Sequence, residues 1–285
     1  MTVLSKVGVV LWAAIVAYAI SLLLQGVWTA LLLQNLRFHS EVPWSVVPML
    51  VVLWLAWLWL SGRGWPQSTT QSRQELLRAR HVKGRRFLLA FIAGGLGVVA
   101  LCGLWIVLAE MVEVPASALP DMSKYPAAVV YALIAMGALV GAVLEEAGFR
   151  GYGQVMLQKH FSGSTAILLC SALFAVGPHP PSHGFLIPKI VFYFLVAVLL
   201  AVTAQVTESI LPAIAVHVFG LAVFFTLVWP HDNARSLIWA SGVSFWFWTH
   251  AAQFVACSVA AGAVFWHLGS HNSVSLKVLN ATTSQ

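Results

Sequence analysis

Long apolar runs and short polar breaks follow one another along almost the whole chain. A helix needs about 20 apolar residues to cross the hydrocarbon core of a bilayer. The candidate runs are Val7–Leu33, Val42–Leu60, Phe87–Ala109, Ala127–Glu146, Thr165–Gly177, Ile190–Val206, Leu211–Trp229 and Val243–Trp266, of which the fifth is short. This pattern predicts an all-α fold, a polytopic membrane helical bundle of about eight transmembrane helices. The first run follows Lys6 and contains Ala17-Tyr18-Ala19, the outline of a secretory signal. It continues through Trp28 to Leu33, however, too long for a cleaved segment, and is expected to remain as a span. Gly94, Gly95, Gly97 and Gly103 suit close packing between membrane helices.

Composition supports the same class. Of 285 residues, 60% are apolar and only 8% charged, against roughly a quarter charged in a soluble domain. A soluble fold of this size has no way to enclose that much apolar surface, so lipid must cover it. The chain shows no internal repeat of fixed period and no low-complexity tract. Cys102, Cys170 and Cys257 stand singly in apolar runs, with neither disulfide nor metal-type spacing. Tryptophans recur near span ends, as in an interfacial belt. Together with the short loops, they fit a bacterial inner (plasma) membrane.

Charge orients the bundle. Arg63, Arg73, Arg78, Arg80, Lys83, Arg85 and Arg86 crowd the segment 62–86, opposed only by Glu75. Between two spans such a loop reads as cytoplasmic and attracted to anionic membrane lipid, not as a nucleic-acid site. With both ends inside, Lys6, Arg150, Lys159 and Lys277 fall on the same side as that loop, leaving Arg37, Lys124, Lys189 and Arg235 outside.

Two of only nine acidic residues stand together, in Leu144-Glu145-Glu146-Ala147-Gly148-Phe149-Arg150-Gly151-Tyr152-Gly153-Gln154. A buried carboxylate costs several kcal/mol unless it is paired or binds a metal. Glu146 and Arg150 are i,i+4 neighbours in the favourable order and can neutralise each other. Glu145, about 100° round the helix, then has no local partner, as a general base or metal ligand requires. The alternative is a structural ion pair with Glu145 at the membrane interface.

Histidine is the natural companion. His39, His81, His160, His231, His267 and His271 lie in loops or near chain ends, and His250 reads as a packing residue of the last span. His179 and His217 remain, with His183 weaker. A turn at Phe161–Ser164 would place His179 level with Glu145 across an antiparallel hairpin. His217, two turns beyond Pro212, needs a partner on another helix.

At these residues the chain resembles the CAAX-prenyl-protease and bacteriocin-processing (CPBP, or Abi) intramembrane endopeptidases. Glu145-Glu146-xxx-Arg150 with Gly151-Tyr152-xx-Gln154 resembles their first motif. Phe174-Ala-Val-Gly-Pro-His179 is similar to a second motif, Phe-xxx-His, with its histidine one place late. His217 stands where a third motif, His-xxx-Asn, would begin, but Gly220 and Leu221 occupy the expected place of the Asn. The resemblance covers roughly 126–230 and implies a catalytic core there, between N-terminal spans in 1–125 and a last span with tail in 231–285.

It also implies hydrolysis of peptide bonds in membrane-associated or lipid-modified peptides. Glu145 would be base to water, aided by His179, with Glu146 and Arg150 orienting the site. His217 would stabilise the oxyanion or bind a metal. Either a Glu–His pair activates water directly, or Glu145, Glu146, His179 and His217 hold a divalent ion such as zinc. The absent Asn points to the alternative of a catalytically inactive relative, a membrane scaffold or bacteriocin-immunity protein. A proton or cation transporter fits less well, because the acids form one cluster and paired repeats with interrupted helices are lacking.

Overall fold

The computed structural model describes residues 3–113, 122–177 and 186–282, without the side chains of 233–234 and 271–282. Helices α1 (Val3–Arg37) and α2 (Val46–Leu60) lead into a loop carrying the short α3 (Thr70–Leu77). Then come α4 (Gly84–Met111) and α5 (Ala127–Glu145), which passes through a wider π-helical segment, Glu146–Gly153, into α6 (Gln154–Gln158). Next are α7 (Gly163–Val176), α8 (Leu186–Thr207) and α9 (Ile210–Val223), the last widening again over Phe224–Val228. Helices α10 (Ile238–Ser241) and α11 (Phe245–Thr282) end the chain, and no strand occurs among the described residues.

Six of these helices are long and apolar enough to cross a membrane: Val3–Arg37, Gly84–Met111, Ala127–Gln158, Leu186–Thr207, Ile210–Asp232 and Phe245–Ser270. The chain is an integral membrane protein built as an all-α bundle. The count of eight full spans is not confirmed: among the described residues α2 and α7 have only 15 and 14 residues. At 1.5 Å per residue they reach ~21–22 Å, short of the ~30 Å hydrocarbon core. The second run begins late because its first residues form a turn. Buried Asn35 there accepts from the Ser45 N–H at 2.9 Å and donates to the Val42 carbonyl at 2.9 Å. The α6–α7 turn falls where expected, with the Ser162 hydroxyl capping α7 at the Thr165 N–H (3.2 Å).

Close backbone approach at glycine holds the bundle around its middle. A β-carbon at Gly148 would lie 2.6 Å from the Ala17 carbonyl oxygen, so α1 rests directly on the π segment. One at Gly103 would lie 2.8 Å from the carbonyl of His250, which seats α11 on α4. His250 itself pairs with Gln253 at 3.1 Å, in keeping with a packing role. Gly148→Ala is expected to lower stability by about 1–3 kcal/mol, because backbone rather than a movable side chain must yield. A fall in the thermal midpoint of the purified protein in detergent would register it, and an unchanged midpoint would refute the contact.

The basic loop is less free than its charge suggests. Arg73 is buried and donates to the carbonyls of Trp59 (2.5 Å), Gly64 (2.6 Å) and Pro66 (2.9 Å). Arg78 reaches the Arg150 carbonyl and the Gln158 side chain, both at 3.3 Å, and Arg86 donates to the Val206 carbonyl. Burial, and then the neighbouring Arg80, bring the Arg78 guanidinium down to about 10, so it stays charged at neutral pH. Carbonyls at helix ends lack intrahelical donors, and arginine, with five N–H groups, supplies several at once.

Candidate active site

The site forms where α5 gives way to the π segment. Helices of this wider kind are rare and frequently mark functional sites. Here Gly148, Gly151 and Gly153 leave room for α1 and α3 to press close, and the neighbouring carbonyls of Ala17 and Leu77 approach them. Glu145 and Glu146, at the junction, are 5% and 0% exposed, and Arg150 is 1% exposed.

Arg150 Nη1 lies 3.1 Å from Glu146 Oε1, so the ion pair expected from spacing is present, within a wider helix than expected. Its other end is fixed as well: Nη2 donates to the Ala197 carbonyl at 3.1 Å, and the guanidinium covers the Phe174 ring at 4.5 Å. Phe174 packs edge-on against Phe149, and Phe149 against Tyr18, whose hydroxyl donates to the Leu173 carbonyl. The cation is thereby locked between α8, α7 and α1.

His217, from α9, joins both carboxylates. Its Nδ1 is 2.9 Å from Glu146 Oε1, and its Nε2 is 3.7 Å from Glu145 Oε2. Because the Nδ1 partner is a carboxylate, the proton belongs on Nδ1, which leaves Nε2 open toward Glu145. Glu145 Oε1 in turn accepts from Gln25 Nε2 of α1 at 2.9 Å. The structure thus brings Glu145, Glu146, Arg150 and His217 together. His179 lies outside the described residues.

Beside Glu145 and His217 is a cavity of about 180 Å³ between α4, α8 and α9, with largely apolar walls that include Leu101, Phe192, Tyr193 and Val216. Gly220 and Leu221 also line it, so the positions where the third motif would carry Asn do face the cavity, without an amide. A catalytic zinc takes three protein ligands at about 2 Å. The described residues turn two donors inward, Glu145 Oε2 and His217 Nε2, while Glu146 Oε1 is engaged by Arg150 and His217. Among the described residues no group of three His, Cys, Asp or Glu is placed to hold a metal.

Gln25 escaped the sequence reading although it breaks the run Ser21-Leu-Leu-Leu-Gln25. A polar side chain inside a span usually has a partner in the bundle, and that was its signal.

The family model for type II CAAX prenyl endopeptidases, Rce1-like, matches residues 127–223, from the start of α5 to the end of α9. No curated protein and no solved structure matches the chain. Over the matched stretch the chain is similar to the Rce1-like CAAX proteases, consistent with the resemblance to the CPBP endopeptidases. Glu145, Glu146, Arg150 and His217 lie inside it, and Gln25 lies outside. The match supports a membrane protease acting on peptide substrates.

Proposed function

We propose that the protein hydrolyses peptide bonds of membrane-associated or lipid-modified peptides, with water activated between Glu145 and His217. The observation that carries this is their 3.7 Å approach, Oε2 to Nε2, on the wall of an apolar cavity. Glu145 takes a proton from the water as its oxygen bonds to the peptide carbonyl carbon. The proton passes to His217 Nε2, and the imidazolium, held through Nδ1 by Glu146, faces the charge developing on the carbonyl oxygen. As the C–N bond breaks, His217 delivers the proton to the leaving amine, and the carboxylic acid and amine products leave the pair as it began. Arg150 keeps Glu146 in place throughout. His179 would add a further donor or base. In the same reading the membrane is a bacterial inner membrane.

A zinc ion sharing Glu145, His217 and His179 would polarise the carbonyl and acidify bound water. Dialysis against a chelator separates the two chemistries. Turnover retained within twofold is the result expected of the Glu–His pair; loss reversed by added zinc would replace it with a metal-dependent route. The assay is cleavage of a prenylated C-terminal peptide by purified protein in nanodiscs, read by mass spectrometry of the released fragment. Gly220 and Leu221 favour a second reading, an inactive relative, because one missing oxyanion donor costs ~10²–10³ in rate. Absence of the fragment from prenylated and other membrane-bound peptides alike would establish that reading.

A further inference from the structure

Resting on that reading, we infer that Gln25 of α1 is a positioning residue for catalysis, which holds the Glu145 carboxylate so that Oε2 is the oxygen presented to water. The amide donates to Oε1 at 2.9 Å, and Oε2 is the oxygen that faces His217 Nε2 at 3.7 Å. One oxygen of the base is occupied by a group that neither gives up nor accepts a proton at neutral pH. The other is left for chemistry.

The scaffold around Gln25 is built for such a task. Ala13, Ala17, Ser21 and Trp28 are buried on α1 and share a helical stripe with Gln25 at intervals of three and four. The stripe is pinned on both sides of the amide. Toward the N-terminus, Ala17 lies against Gly148 of the π segment; toward the C-terminus, the Trp28 indole lies 3.3 Å from the β-carbon position of Gly137 on α5. Ser21, between them, donates to the Ala17 carbonyl at 2.9 Å and leaves the stripe slim. Sliding α1 by one residue would move the amide about 1.5 Å along the axis, enough to break the bond to Glu145. The helix that supplies Gln25 lies outside the matched family stretch, so the chain completes its site with a residue from beyond that region.

Gln25→Met keeps side-chain length and removes the donor, whereas Gln25→His returns an N–H within similar reach. A hydrogen bond to a charged group contributes roughly 10–100-fold when expressed as a rate. With the wild-type peptide assay as reference, Gln25→Met should lower kcat by that factor, leaving KM and the thermal midpoint nearly unchanged. Gln25→His should recover part of kcat, and Gln25→Met should add no further loss to a Glu145→Gln background. An unchanged kcat in Gln25→Met overturns the inference. So does a fall in kcat that tracks the midpoint and is equal in Gln25→His, since that describes packing alone. Failure of wild-type protein to cleave overturns the proposed activity itself, so the two failures are distinguishable.

Discussion

Glu145→Gln is expected to abolish peptide cleavage, lowering kcat by roughly 10²–10⁴, the usual contribution of a positioned general base. The substitution keeps shape, and its amide still lies beside Gln25 and His217. It removes a charge from a position 5% exposed. Because Glu145 is hydrogen-bonded by the neutral Gln25 amide rather than by a cation, the neutral isostere strands no opposite charge. The variant should therefore fold, bind peptide with nearly the wild-type KM, and fail in the chemical step. Single-turnover cleavage measured beside a binding assay separates these quantities. Undiminished turnover would remove Glu145 as the base.

The largest effect on stability is expected from Arg150→Met. Glu146 is fully buried; its Oε2 has no hydrogen-bond partner among the described residues, and its Oε1 is shared between Arg150 and His217. Without the guanidinium the carboxylate is left with the imidazole alone, and the Ala197 carbonyl loses its donor. Removing one member of a buried ion pair typically costs about 3–5 kcal/mol. The double variant Arg150→Met with Glu146→Gln should regain much of that loss, because no charge is then stranded. Denaturant unfolding of both variants, followed by tryptophan fluorescence, tests the point. A single variant as stable as wild type would contradict it.

Glu145, Glu146, Arg150 and His217 could be read from the chain because polar residues are scarce in it and burial makes each one costly. Their mutual contacts obeyed what pairing demands, within a helix whose wider turn gave no clear pattern of its own. A π turn differs from an α turn only in which carbonyl each N–H meets, and Gly148, Gly151 and Gly153 were its sole trace. The second span was overestimated because hydropathy counts apolar residues, whereas crossing requires helical ones; Asn35 diverts part of the run into a turn, while the fifth is as short as its apolar run. Charge counting identified the basic loop but not the destination of Arg73, Arg78 and Arg86. Apart from the Gln158 side chain that Arg78 also reaches, their partners are backbone carbonyls, which carry no sequence signature.

Arg78 joins that loop to the carbonyl of Arg150, five residues from Glu145. Along a helix axis five residues amount to only about 7 Å. Extended peptide covers this distance in two or three residues, at about 3.3 Å each. Under the proposed activity, a substrate held beside that loop would therefore have little chain to feed inward before its bond met the carboxylate. The proposed activity then predicts a cleavage position set by reach: a bond a few residues from the point of attachment would arrive at Glu145, and one much further along would overshoot it.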